Sequence, residues 1–463
     1  MAVGDDDQNI YAFRHTTVEF IRRFADDYEA KAEYLVENYR STRHIIAAAN
    51  DIIQSGPDRL KTDYPIRINH ARHDHPAGGR WERLDPLIKG HVHIMQSPPD
   101  GNRQTQLAMA EFGRLKALDE KADWSDFAVR ARTHAMLEPV WAWCEWKKIP
   151  YLMAESGKGQ PELHKTREGR SLITLLQSKR RKLLRHGVLK RWLRKSFIPN
   201  PDNPWLELLG QCIAEIEDAW GGMPIPTGQA LEWVYEFGSE SRNRVAGHVT
   251  LSTVHGAKGR EFTHVIILDG GDWKDDRRGD ERRLFYVAMT RAMETLTLCE
   301  ATSRPHPFIG DMGDGENFLR TPLASIPNPL CELDKKYALL GLADVDLGFA
   351  GRKPANDPVH RAIRALRVGD PLQWADAGGR LELRNGQGIT VGRLAQKVRL
   401  PVGTMESVTV SAIVHRSKRQ AQDAEWAKTC KVDEWEVVLG SICLSGQSEA
   451  VGTKAGVSSV GED

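Results

Sequence analysis

The sequence predicts an α/β fold: a parallel sheet with helices on its faces, interrupted by a helical insertion and followed by a small β-rich C-terminal domain. Three observations predict it. From His91 to Lys147 strands are expected at His91–Met95 and Asp126–Ala131 and helices at Gln104–Leu118 and Met136–Lys147, and such β-α-β-α alternation argues a parallel sheet. From about Gly157 to Arg244 the alternation stops and helical, basic, Trp-containing sequence replaces it. From Val249 to Asp269 two β-rich runs, Val249–Val254 and His264–Leu268, flank a Gly-punctuated polar loop carrying His255, Lys258 and Glu261, the layout of a strand-loop-strand site.

Composition bounds the reading. The 463 residues suffice for roughly three domains, each with its own core. With 40% hydrophobic and 27% charged residues the chain is globular, and no apolar run approaches the roughly 20 residues of a membrane span. Met1 to Tyr11 is acidic and lacks the apolar core of a signal peptide, so a soluble, cytoplasmic protein is expected. The six cysteines form no C-x-x-C pair, which suggests neither a zinc site nor a disulfide framework. Net charge is +1, so any nucleic-acid surface must be a local patch. One candidate runs from Ser178 to Ser196, with Lys179, Arg180, Arg181, Lys182, Arg185, Lys190, Arg191, Arg194 and Lys195 and no acid. Its Leu183, Leu184, Leu189 and Leu193 also fit the apolar stripe of a solvated helix.

In chain order, Val3 to Arg14 ends a strand and turns through Asp5-Asp6-Asp7-Gln8. A strand-like Tyr34-Leu35-Val36 leads into Glu37-Asn38-Tyr39-Arg40-Ser41-Thr42, where Ser41 or Thr42 can cap a helix through Ile45, Ile46, Ala49 and Ile53. That puts Tyr39 and Arg40 at a strand-to-helix turn, where ligands of α/β sheets bind. Gly56 to Gly90 reads as a loop, and its His73-Asp74-His75 lacks partners for a metal. Gly157-Lys158-Gly159 lacks the spacing and the Ser or Thr of a phosphate loop. Glu281 to Ala292 reads as a helix with Leu284, Val287 and Ala288 facing inward. Beyond Thr302 a Pro-rich linker precedes short alternating runs between His360 and Ile442, and the tail after Gly446 is Gly/Ser-rich and expected to be disordered.

Four blocks carry a resemblance: Val3 to Arg14, Glu37 to Thr42, Val249 to Asp269, and Glu281-Arg282-Arg283-Leu284-Phe285-Tyr286-Val287-Ala288-Met289-Thr290-Arg291. In this order they resemble motifs III, IV, V and VI of UvrD/Rep-type superfamily 1 DNA helicases. The resemblance is specific over Val3–Ile53 and Gly247–Leu298 and weaker over Trp124–Glu155.

The resemblance implies a RecA-like parallel sheet domain. Residues 1–16 would close a first RecA-like domain, 17–156 and 245–304 would form the second, 157–244 its helical insertion, 305–355 a linker, 356–445 the β-rich domain and 446–463 the tail. It implies that Gln8 senses the terminal phosphate of ATP, that Arg40 and Arg291 reach the phosphates, that Tyr39 stacks on adenine and that Glu261 binds the ribose. It places Tyr11, Phe13 and Arg14 on single-stranded DNA, with Thr253, His255 and Lys258 near its backbone. The chemistry suits these types. An amide can bond both phosphate oxygen and attacking water, a positioned arginine can be worth roughly 10³ to 10⁵ in rate, and a stacked base about 1–3 kcal/mol. Val265 to Asp269 mimics a Walker B strand, but Gly270 stands where the catalytic glutamate would, so it reads as core. Met293 replaces a basic residue of the pattern.

The sequence contains no phosphate loop with its Lys and Ser or Thr, nor an acidic pair at a strand end. In the resembled family both precede the first block. The expectation is therefore the C-terminal half of an ATP-dependent 3′-to-5′ DNA helicase of repair or recombination, inactive alone, with Mg2+ ligands from the other half in the same or another chain. The alternatives are a non-catalytic DNA-binding or regulatory protein and one subunit of a split helicase.

Overall fold

The computed structural model describes residues 3–10, 23–24, 26–57, 59–153, 161–179, 182–198, 200, 203–240, 247–257, 260–275, 279–303, 305–310, 315–323, 325–420 and 424–445. After α1 (Arg43–Gln54) the chain lays down β1 (Val92–Ser97), α2 (Gly101–Leu118), β2 (Phe127–Ala131), α3 (Glu138–Lys147) and β3 (Tyr151–Met153). Four helices follow, α4 (Arg167–Ser178), α5 (Val188–Ser196), α6 (Pro204–Ala219) and α7 (Thr227–Glu240). The chain then returns through β4 (Val249–Thr253), β5 (Phe262–Ile267), α8 (Asp280–Met289), β6 (Ala292–Ala301) and β7 (Phe318–Thr321). These seven strands form one sheet in the order β7-β1-β6-β5-β2-β4-β3, every pair parallel.

Helices cover both faces, as a parallel sheet requires. Val265 and Ile267 of β5 pack with Ile45 and Ile52 of α1 and with Leu284 and Val287 of α8. Ile266 between them points the other way, to Phe112 of α2 and Val140 of α3. A period of two with both faces buried is why β5 reads as an unbroken apolar run. Asp269 past its end is buried, its carboxylate accepting from the backbone N–H groups of Gly271 and Ala301 at 2.8 and 2.9 Å; it serves the chain turn, as a core strand end would.

Several local expectations change. Tyr34–Val36 is not a strand; pairing starts at Glu37–Asn38, in a separate parallel ladder with Arg67–Ile68. Thr42 is the N-cap of α1 but its hydroxyl makes no capping bond, and the Ser41 hydroxyl donates instead to the Ala292 carbonyl at 2.8 Å. α8 ends at Met289, and Ala292 already opens β6. The basic stretch is not one helix: α4 stops at Ser178, Leu183–Leu184 pairs with Ile225–Pro226, and α5 begins after Gly187. Gly187, the N-cap of α5, sits at φ +77°, a left-handed conformation that favours glycine. Leu184 and Leu189 are buried, whereas Leu183 points into solvent.

The stretch expected as a linker is structured. Phe308 and Ile309 are buried in the core beneath the parallel sheet, and Phe318–Thr321 is its edge strand β7. Further on, β8 (Lys336–Leu339) joins the second sheet, which also contains β9 (Pro371–Asp376), β10 (Leu381–Arg384), β11 (Thr390–Arg393), β12 (Thr404–Ser417) and β13 (Glu434–Ser445). Its order is β8-β13-β12-β9-β10-β11, antiparallel throughout. The helical insertion is fastened to this sheet: the Trp205 indole N–H donates to the Ser411 carbonyl at 2.8 Å, and the Asn200 amide to Val368 at 3.1 Å. Among the described residues no helix is long and apolar enough to cross a membrane.

Candidate functional site

The turn before α1 is set by Asn38, whose side-chain oxygen accepts from the N–H groups of Arg40 and Ser41 at 2.8 and 2.9 Å. Asn at this position closes such turns with its own side chain. The Ser41 hydroxyl bond to Ala292 and the Thr42 N–H bond to the Met293 carbonyl, 3.0 Å, weld the turn to the start of β6. Arg40 is thereby held over Thr290, whose carbonyl it approaches at 3.5 Å, and is ion-paired with Glu261. Both side chains are about a third exposed, 33% and 34%.

Arg291 completes the cluster. Phe262 N–H donates to its carbonyl at 2.9 Å, which puts Glu261 and Arg291 at neighbouring strand starts. The Arg291 side chain is buried, with Nε donating to the Val287 carbonyl at 3.2 Å and Nη2 to the Thr290 hydroxyl at 3.3 Å. Burial and then the charge of Arg40 hold its pKa below the ordinary arginine value. Arg40 is paired with Glu261 and Arg291 lies within the electrostatic reach of both, so two guanidiniums near one carboxylate leave an excess of positive charge, which fits an incoming polyanion.

Gln8 ends the short 3-10 turn Asp6–Gln8, which packs on α8, and its amide donates to Asp5 at 2.7 Å. The three aspartates come close enough to suggest a metal cluster, yet each carboxylate is already engaged. Asp7 takes a bidentate pair from Arg59 at 2.9 and 2.8 Å, Asp6 accepts from Leu60 N–H at 2.6 Å, and Asp5 pairs with Lys61 at 2.5 Å. They fasten the turn rather than form an open cation site. Tyr39 is 70% exposed, with its hydroxyl on Glu37 at 3.1 Å and its ring able to receive a planar ligand.

Thr253 and His255 lie elsewhere. Thr253 is buried at the carboxyl end of β4, and His255 follows it in a 3-10 turn. Arg40, Glu261 and Arg291 instead sit at the amino ends of β5 and β6. Tyr39 and Arg40 do lie at a strand-to-helix turn, between the short Glu37–Asn38 strand and α1, but that strand belongs to the separate two-stranded ladder and not to the seven-stranded sheet. β4 and β5 are parallel and both flank β2, so Thr253 and Glu261 lie at opposite ends of the two strands on either side of it. Tyr11, Phe13, Arg14 and Lys258 lie outside the described residues.

Two pairings had no signal in the sequence. Arg132, just past β2, makes a bidentate pair with Glu281 at the start of α8, at 2.8 and 2.6 Å. Arg260 lies over the Phe262 ring at 5.2 Å, and burial lowers its pKa. Arg282 and Arg283 approach Asp275 and Asp280 at 3.6 and 3.4 Å and also donate to the Ile52 and Pro57 carbonyls at 3.1 and 2.9 Å.

Fold and cluster together define a RecA-like α/β domain with a helical insertion and a β-rich C-terminal domain. Residues 248–299 match the family model described as the UvrD-like helicase C-terminal domain. The chain is 49% identical over 442 residues to DNA helicase II of Salmonella typhimurium, covering 73% of this chain and 60% of that protein. It is 49% identical over 406 residues to DNA helicase II of Escherichia coli, covering 67% and 55%. To the ATP-dependent DNA helicase PcrA of Staphylococcus aureus it is 45% identical over 375 residues, covering 65% and 51%. A solved structure, the C-terminal domain of a possible DNA helicase from Lactobacillus plantarum, covers 61% of this chain and 98% of its own at 15% identity and TM-score 0.24, a score that carries no weight. By these matches the chain is similar to UvrD/Rep-type DNA helicases, and residues 248–299 match their C-terminal domain. It spans 51 to 60% of the length of these three relatives.

Proposed function

We propose that this chain supplies one wall of the ATP cleft and part of the DNA path of an ATP-dependent 3′-to-5′ DNA helicase. The observation that carries this reading is the Arg40–Glu261–Arg291 cluster at one sheet edge. Arg40 and Arg291 would meet the phosphates, Glu261 the ribose hydroxyls, Tyr39 the adenine ring and Gln8 the terminal phosphate. Two cations for phosphate and an acceptor for paired hydroxyls match the donor and acceptor needs of a nucleotide. The three aspartates near Gln8 are taken up by Arg59, Lys61 and Leu60, so Mg2+ would be held by a phosphate-loop half outside these residues, in the same or another chain.

Thr253, His255 and Lys258, with Tyr11, Phe13 and Arg14, would hold single-stranded DNA. His255 and Glu261 are close in the chain, so the two functions would be joined mechanically through the short connection between them. A shift of Glu261 on nucleotide binding would pull on the segment that carries His255 and Lys258.

ATP hydrolysis by the chain as given, with and without single-stranded DNA, tests the half-site. The expected result is background turnover with DNA binding retained. DNA-stimulated turnover abolished by both Arg40→Ala and Arg291→Ala would show a complete site and overturn it.

A further inference from the structure

Away from the sheet edges, the helical insertion and the antiparallel sheet meet along a groove. It encloses about 410 Å3 and is lined by Arg170 and Thr174 of α4, Trp192 and Phe197 at α5, and His415 and Glu436 of β12 and β13. That is the size range of small-ligand pockets, about 300–1,000 Å3.

The two arginines that line the groove are bound differently. Arg167 is fully committed: it clasps Glu436 at 2.6 and 2.8 Å and donates to the Leu366 and Ile363 carbonyls at 2.6 and 2.8 Å. It holds the groove's two sides together. Arg170, one turn later on the same helix face, has only a 3.8 Å approach to Glu434, which is itself 58% exposed. So loose and solvated a pair contributes little, and a phosphate can replace it. On the opposite wall the Trp192 and Phe197 rings meet edge to face at 5.8 Å and are both partly exposed. Arg191, Arg194 and Lys195 are exposed on the same helix, and among the described residues Lys190 alone of its cations is drawn to an acid, Glu217, at 3.3 Å. Aromatic surface beside cations that lack strong partners is the chemistry of single-stranded nucleic-acid binding, because every base has a π-face and every nucleotide a phosphate.

We propose that this groove binds single-stranded nucleic acid, with one unstacked base against Trp192 and Phe197, its phosphate on Arg170, and the strand continuing past Arg194 and Lys195. The proposal rests on the reading that the chain handles DNA, and it adds a second contact region remote from Thr253.

The test titrates the full chain against a short fluorescein-labelled oligothymidylate, followed by anisotropy at several salt concentrations. Arg170→Glu, a change at a partly exposed position, is expected to weaken binding about tenfold and to lower the slope of log affinity against log salt by about 0.7 or more. Trp192→Ala is expected to weaken it about five- to tenfold with the slope unchanged. Thr253→Ala is measured in parallel. If it loses affinity while Arg170→Glu stays within about twofold of wild type, the groove proposal falls and the DNA path at β4 stands; the reverse pattern supports the groove and sinks the β4 path. A blunt duplex bound as tightly as the oligothymidylate, and weakened equally by Arg170→Glu, would overturn the single-strand assignment.

Discussion

Arg40 and Glu261 are ion-paired, so an arginine assigned to the phosphates and the carboxylate assigned to a ribose occupy one another. Those two parts of a nucleotide are well separated, so both assignments hold only if the pair opens when nucleotide binds. With each side chain about a third exposed, opening should cost little. A double-mutant cycle with Arg40→Ala and Glu261→Gln, read by urea unfolding, is expected to give a coupling of about 1 kcal/mol or less. A coupling several times larger would mark the pair as structural.

The buried pair near the first block should behave oppositely. Asp7 and Arg59 are 1% and 6% exposed and doubly bonded. Asp7→Asn would strand a desolvated guanidinium, and the loss expected is about 3–5 kcal/mol in urea unfolding. A loss below about 1 kcal/mol would mean that the neighbouring Asp6 carboxylate and water compensate.

Acid should destabilise the parallel-sheet domain in two separable steps. Burial, foremost, lowers the His264 pKa from 6.5 to about 4. The unfolded chain therefore takes up a proton that the folded one refuses, and stability present above pH 6.5 falls as pH drops toward 4. Burial pushes Glu111 up, but hydrogen bonds from Arg114 and His93 outweigh it and bring it from 4.5 to about 2. Its contribution is full above 4.5 and lost toward 2. His264→Phe should flatten the first limb of a stability-versus-pH curve and leave the second; loss of both limbs would place the cause elsewhere.

Arg167 joins the insertion to the second sheet through Glu436 and two carbonyls. Removing a charged donor from such partners costs about 1.5–3 kcal/mol. Arg167→Met is expected to speed amide hydrogen exchange in α4 and at the Arg416–Ser417 end of β12 while leaving β5 unchanged. Uniform acceleration, or none, would deny Arg167 this local role.

Much of the parallel sheet was legible because its cause is local. Val265, Ile266 and Ile267 form an apolar run since both sheet faces are covered, and the helices α2 and α3 follow from periodicity within a few residues of the expected ends. Tyr34–Val36 misled because β-rich composition does not supply a pairing partner, and Leu183 misled because Leu183–Leu184 pairs with the distant Ile225–Pro226 instead of joining a helix.

The sequence by itself determined β1, β2, β4 and β5 of the parallel sheet, the helices α1, α2, α3 and α8 on its faces, and the residue types Gln8, Tyr39, Arg40, Glu261 and Arg291, since periodicity and motif are properties of neighbours along the chain. Only the tertiary structure decided that Arg40, Glu261 and Arg291 share the amino-terminal edge while Thr253 ends at the other. It also decided that residues 305–355 supply strands to both sheets and that the insertion rests on the β-rich domain. The reason is physical: strand order, ion pairs and domain contacts depend on buried surfaces meeting across long sequence separations, and no local pattern encodes which surface meets which.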